Sequence, residues 1–140
     1  MRYVLDTSVA FKCVLLEQDS SKAIQMMGDY RLGFNELIAP DLFPYELAHG
    51  LTRAERQGRI AVGNAFALWT NVMTSPPILI HAQHLISRAI EIASSARIGV
   101  YDCVYVALAE QESCELVTAD TKLVRNLRSR FPFIIELASL

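Results

Sequence analysis

Short, wholly apolar runs alternate along the chain with longer stretches in which apolar residues recur every three or four positions. The short runs are Tyr3-Val4-Leu5, Leu37-Ile38-Ala39, Ile78-Leu79-Ile80, Leu116-Val117-Thr118 and Phe133-Ile134-Ile135, each predicted as a strand. Between them the helical period recurs. Thr7 or Ser8 is placed to cap a helix reaching about Leu16. Ser20-Ser21 opens a second, with Ala23, Ile24, Met27 and Tyr30 on one face and Gly33 at its end. Pro40 and Pro44 bracket a turn, after which Tyr45, Leu47, Ala48, Leu51 and Ala54 predict a helix to Gln57-Gly58. A further helix is predicted over Val62 to Met73, its apolar face formed by Phe66, Leu68, Trp69, Val72 and Met73, with Pro76-Pro77 as the stop. Leu85, Ile86, Ala89, Ile90, Ile92 and Ala93 mark the next helix, interrupted at Gly99. Tyr101 to Gln111 marks another, and Asp120 caps a last, basic helix to about Arg130.

Strands that are apolar on both sides must be covered on both sides, and parallel strands need crossover connections of the kind these helices provide. The expected class is therefore α/β, a three-layer α/β/α sandwich with a central parallel sheet. Residues 1–140 read as one domain, without repeat, linker or low-complexity segment. Ligands of such sheets lie beyond the carboxyl ends of the strands, where strand order reverses, and Asp6 and Asp120 both follow strands directly.

Charge changes the picture by exclusion. Thirteen Lys and Arg against fifteen Asp and Glu leave a net charge of −2, so no global positive field draws in nucleic acid and any such partner must be held locally. Cys13, Cys103 and Cys114 are odd in number and widely spaced, which argues against a disulfide framework or a zinc knuckle and fits a reducing cytoplasm. Asp6 interrupts the N-terminal segment too early for an export signal. No apolar stretch approaches the roughly 18 residues of a membrane span.

The candidate chemistry lies in four scattered acids, Asp6, Glu46, Asp102 and Asp120. Glu46 is embedded in Leu42-Phe43-Pro44-Tyr45-Glu46-Leu47-Ala48, and Asp102 in Val100-Tyr101-Asp102-Cys103-Val104-Tyr105-Val106. A carboxylate in such apolar surroundings needs a partner. Taken singly, Asp6 and Asp120 also read as helix caps, and Glu46 and Asp102 as acids favoured near a helix N-terminus. Taken together they suit a magnesium ion, which prefers oxygen ligands and keeps waters for exchange with substrate phosphate. His81 and His84 lack a nearby Cys or acidic ligand in sequence and are not read as a metal site. Lys122, Arg125 and Arg128 could meet RNA phosphates but read first as a solvated helix face.

Across nearly its whole length the sequence resembles the PIN-domain ribonucleases, and within them the VapC-type toxins. The resemblance is carried by Tyr3-Val4-Leu5-Asp6-Thr7-Ser8-Val9-Ala10, Ala39-Pro40-Asp41-Leu42-Phe43-Pro44-Tyr45-Glu46, Tyr101-Asp102-Cys103-Val104-Tyr105-Val106-Ala107-Leu108-Ala109 and Leu116-Val117-Thr118-Ala119-Asp120, in that order. It implies metal binding by Asp6 and Asp102, an acidic pocket completed by Glu46 and Asp120, and a water activated there to cut RNA. The implied ion is Mg2+, with Mn2+ as a substitute. Ser8 and Thr118 match polar positions beside that pocket, although Ser8 also suits an N-cap. An antitoxin partner and a homodimer, the latter through the helical hairpin around Trp69, are further implications.

Three other readings remain at this level. A phosphatase of the haloacid dehalogenase type also places an acid after its first strand, but expects a second Asp where Ser8 stands. A non-catalytic module could use an acidic pocket to receive a basic peptide. A free-standing RNA-processing nuclease would need no antitoxin.

Overall fold

A computed structural model describes all 140 residues. Five parallel strands form one sheet in the order β3-β2-β1-β4-β5, where β1 is Arg2–Leu5, β2 Glu36–Pro40, β3 Ile78–Ile80, β4 Glu115–Thr118 and β5 Ile134–Glu136. The chain builds outward from β1 through β2 to β3, then crosses back to lay β4 on the other side of β1. Strand order therefore reverses between β1 and β4, and a crevice opens at their carboxyl ends. Val4 pairs with Ile38 on one side and Leu116 on the other, which fixes the depth at which each strand ends.

Val4, Leu5, Leu37, Ala39, Leu116 and Val117 are completely buried, as expected of strands covered on both faces. The α/β class is thus observed. The helices are α1 (Thr7–Val14), α2 (Ser20–Arg31), α3 (Phe43–Arg56), α4 (Asn64–Met73), α5 (Ile86–Ala96), α6 (Val100–Glu112) and α7 (Thr121–Leu127). Helix α6 lies against β1, β2 and β4 and is buried from Cys103 to Ala109. That explains its lack of a polar stripe: it is a core helix, packed on its outer side by α5. No single helix is long and apolar enough to cross a membrane.

Several boundaries differ from expectation for identifiable reasons. Thr7 and Ser8 lie inside the first turn of α1, and Asp6 occupies the N-cap position without a side-chain cap bond. Pro44 does not bracket a turn; it sits in the first turn of α3, where a missing N–H costs no helical bond. Helix α4 begins at Asn64, not Val62, because Gly63 takes φ +93°, outside helical space, and leaves Val62 exposed. Helix α5 ends at Ala96, capped by Arg97, which itself adopts φ +57°, two residues before Gly99. Helix α7 stops at Leu127, short of Arg130, and β5 starts one residue late, at Ile134. The apolar face around Trp69 is largely consumed inside: Val72 is buried, Leu68, Trp69 and Met73 pack against the core, and only Phe66 of that set is exposed.

Candidate active site at the reversal of strand order

Asp6 leaves the end of β1, its backbone N–H donating to the Val117 carbonyl of β4 at 3.1 Å. Its carboxylate is only 5% exposed, and it is held from two directions. Ser8 donates a hydrogen bond to Asp6 Oδ2 at 2.6 Å, and Thr118, at the end of β4, donates to the same oxygen at 2.7 Å. Both hydroxyls are occupied as acceptors as well: Ala119 N–H donates to Ser8 Oγ at 2.9 Å and Asp120 N–H to Thr118 Oγ1 at 3.0 Å. The strand ends of β1 and β4 are thereby stitched together through Asp6 Oδ2. Ser8 is a tertiary positioning group here and not a helix cap.

Asp120 does act as a cap. Its Oδ1 accepts from the backbone N–H groups of Lys122 at 3.0 Å and Leu123 at 3.3 Å, opening α7. Glu46 and Asp102 come from the first turns of α3 and α6 and reach the same crevice. Glu46 Oε1 is buried without a hydrogen-bond partner, and so is the hydroxyl of fully buried Tyr105 beside it. Tyr105 lies near enough to be affected by the Glu46 charge, yet in this arrangement the two do not close a hydrogen bond of proper geometry.

Three of the acids, Asp6, Glu46 and Asp102, are held above the ordinary carboxylate range. Burial is the leading cause of the upward shift at Asp6, resisted by the Ser8 and Thr118 bonds and reinforced by the Asp120 charge. Burial pushes Glu46 up to about 7, the neighbouring Tyr105 hydroxyl opposing the shift and Asp6 and Asp102 adding repulsion. Burial pushes Asp102 up to about 6, with added repulsion from Asp6 and Asp120. Asp6 is thus within electrostatic reach of the other three acids, and Asp102 likewise, whereas Glu46 and Asp120 flank them. Three acids whose charged forms are this disfavoured await a cation or protons.

No three His, Cys, Asp or Glu side chains stand close enough to make a finished metal cage. The donor set nevertheless fits a hard divalent ion: it consists of carboxylates, one of them with an unpartnered buried oxygen, and Mg2+ binds through one or two carboxylates while retaining waters. Asp41 Oδ2 lies 3.1 Å from His81 Nδ1, so His81 does have an acidic neighbour, contributed by a residue 40 positions away. His84 pairs instead with Gln111, at 2.7 Å. Lys122, Arg125 and Arg128 are exposed.

The crevice widens into a cleft of about 710 Å3 lined by Thr7, Tyr45, Glu46, His49, Arg53 and Tyr101, among others. Sequence reasoning passed over most of these. Glu46, His49, Gly50 and Arg53 follow the i, i+3, i+4, i+7 spacing of one helix face, which was a usable signal. Tyr105 falls three residues after Asp102 on the buried helix, again on one face. At Gly50 the Phe11 ring approaches so closely that a Cβ would lie 1.9 Å from its Cζ, which joins α1 to α3 at the cleft wall.

A PIN-domain family profile matches residues 3–127. The chain belongs to the PIN-domain family. It is 31% identical over 136 residues to VapC ribonuclease Mb0985 of Mycobacterium bovis and to Ribonuclease VapC9 of Mycobacterium tuberculosis, covering 94% of this chain and 96% of each relative. It is 28% identical to Ribonuclease VapC3 of Pyrobaculum aerophilum, over 96% of this chain and 98% of that one. Its fold is that of the crystal structure of PAE2754 from Pyrobaculum aerophilum, with TM-score 0.71 and 21% identity over 99% of this chain and 94% of that one. VapBC2 from Rickettsia felis, in a structure bound to a promoter DNA fragment, superposes with TM-score 0.62 at 16% identity, covering 97% of each chain. PIN membership removes the haloacid dehalogenase alternative.

Proposed function

We propose that this PIN domain is an endoribonuclease that hydrolyses RNA phosphodiester bonds at the acidic crevice, with Mg2+ held by Asp6, Glu46, Asp102 and Asp120 and Mn2+ as a substitute. The observation that carries the reading is the gathering of desolvated carboxylates at the reversal of strand order, with Glu46 Oε1 buried and unpartnered. The full-length similarity to VapC ribonucleases supports the reaction class. The ion would neutralise the carboxylates, polarise a substrate phosphate and make a water more acidic.

The side chains then divide the work. Ser8 and Thr118 fix Asp6 through Oδ2 alone, so Oδ1 remains for other contacts. Asp120 uses Oδ1 to open α7, which leaves Oδ2 for other contacts. Thr118 is fully buried and both hydroxyls serve to hold Asp6, so the proposal keeps them as positioning groups and assigns the attack to water. Hydrolysis by water is the consistent route. Cleavage of RNA in magnesium, its loss in chelator and its loss in Asp102→Asn test the proposal. Undiminished cleavage in excess chelator would overturn the metal mechanism, and tight peptide binding without any cleavage would favour a binding module.

The protein is further proposed as the toxin of a toxin–antitoxin pair, on its similarity to VapC relatives. A basic antitoxin side chain, an Arg above all, would satisfy clustered carboxylates bidentately and exclude the ion. Asp102→Lys should then weaken the complex, and unchanged affinity would place the partner elsewhere. A homodimer remains part of the proposal, but Ile86 and Ile90, exposed one turn apart on α5, are a better basis for it than the largely buried face of α4. A strictly monomeric mass at high concentration would count against it.

A further inference from the structure

Each of the two most strongly perturbed acids is preceded by a tyrosine: Tyr45-Glu46 on α3 and Tyr101-Asp102 on α6. The acids turn inward and the tyrosines do not. Tyr45 is 78% exposed and Tyr101 64% exposed, and neither ring packs against another aromatic ring. Large apolar surface left in water contributes little to folding stability, so its place beside the carboxylates asks for a ligand. Both rings line the 710 Å3 cleft together with Glu46.

The cleft continues in two directions. Through Leu42 and Tyr101 it joins a mainly apolar hollow of about 310 Å3, whose walls include Ile86 and Val104 beside Asp41, His81 and Gln83. Through Phe11, Gly50 and Arg53 it joins a more polar hollow of about 440 Å3 that also contains Lys12 and Arg59. Lys12 and Arg59 share Glu17 there, at 3.3 Å and 3.6 Å, and Arg53 is exposed at the junction. The trough thus has a mainly apolar arm and a cationic arm, with Glu46 and the two tyrosines in the cleft between them. Flat apolar bases and a phosphate chain are complementary to these two arms, respectively.

We infer that Tyr45 and Tyr101 are base-stacking platforms that seat unpaired bases on either side of the phosphodiester delivered to Glu46 and Asp102, while Arg53 and the cationic arm track the strand. The inference rests on the nuclease reading and deepens it. The rings can stack only on bases that are free of a duplex, because paired bases offer no open face. A strand lying in the cleft to reach Glu46 passes both rings, because Tyr45, Tyr101 and Glu46 line it together.

The test is equilibrium binding, in chelator so that nothing is cut, of a fluorescent single-stranded RNA of about eight nucleotides, within the range such sites span. The same strand in a duplex and an abasic ribose-phosphate strand of equal charge are the controls. Tyr45→Ala and Tyr101→Ala should each weaken single-strand binding by roughly 5- to 100-fold, and Phe at either position should restore it. The abasic strand should bind weakly to wild type and be indifferent to both substitutions. In magnesium, KM should rise while kcat stays nearly constant. Ala variants that bind and cleave like wild type would overturn the inference while leaving the nuclease reading intact. A wild type that cuts no RNA would overturn the nuclease reading itself. Loss of self-association in the Ala variants, with RNA affinity unchanged, would assign the rings to a protein interface and also overturn the inference.

Discussion

Replacing Asp102 by asparagine is expected to abolish cleavage and, without metal, to stabilise the protein. Asp102 titrates near 6 in the folded chain against an ordinary 3.8, chiefly through burial and then through the charges of Asp6 and Asp120. A shift of that size corresponds to about 3 kcal/mol if fully expressed. The side chain is only partly buried, so solvent screening reduces the expected gain to about 1–2 kcal/mol. The sign follows from linkage. Below pH 3.8 both states hold the proton and the cost is nil. Between 3.8 and about 6 the unfolded chain gives up its proton first, so stability falls as pH rises, and above about 6 the full cost remains. An isosteric amide has no such cost at any pH. Thermal unfolding in chelator should therefore place Asp102→Asn about 3–7 °C above wild type at pH 8, with the gap closing toward pH 4. Magnesium should raise wild type more than the mutant, because an ion that binds only the folded state stabilises it by mass action. A mutant less stable in chelator at pH 8, or a gap that does not close in acid, would refute the argument and make Asp102 a structural acid.

Further outcomes follow from the same geometry. Thr118→Val keeps the shape but removes a donor to Asp6 and an acceptor for Asp120 N–H, and should cost about 1–3 kcal/mol in denaturant unfolding while raising the Asp6 pKa further. Tyr105→Phe removes a buried hydroxyl that has no partner, so stability should stay level or rise by up to about 1 kcal/mol; a clear loss in chemical denaturation would show that the hydroxyl is satisfied. Metal affinity, followed by titration calorimetry, should strengthen as pH rises through about 6 and 7, where Asp102 and Glu46 release protons that compete with the ion. Gly50→Ala should displace the Phe11 ring from the wall between the two hollows, with a net cost of about 1–2 kcal/mol despite the better helix propensity of Ala.

The fold was legible because its signals are local or periodic. Strand runs such as Leu116-Val117-Thr118 need only their own apolar text, and α3 announces its face through Leu47, Leu51 and Ala54, all buried as expected. What failed depends on contacts between distant parts. Ser8 carries the local mark of a cap, but its hydroxyl donates back to Asp6 and accepts from Ala119 N–H, a contact that only the β1–β4 pairing brings about. The α4 face was legible as apolar, yet periodicity alone could not distinguish buried Val72 from exposed Phe66. His81 read as lacking an acid because Asp41 meets it only across the β2–β3 pairing. The acids themselves were found because carboxylates in apolar text are conspicuous wherever they fall.

The stitch between Asp6 and Thr118 also bears on when the protein can become dangerous to its maker. Asp6 leaves the ribosome early, but its two-sided support is complete only after β4 slots in beside β1, and Asp120 arrives two residues later still. Closing a loop of more than a hundred residues is a late event in folding, because its entropic cost falls before any contact repays it. A nascent chain carrying Asp6, Glu46 and even Asp102 therefore lacks both the clamp that orients the first acid and the fourth acid altogether. If these acids are the ones that cut RNA, as proposed, the topology itself would keep the enzyme inert among messenger and ribosomal RNA until almost all of it has been synthesised.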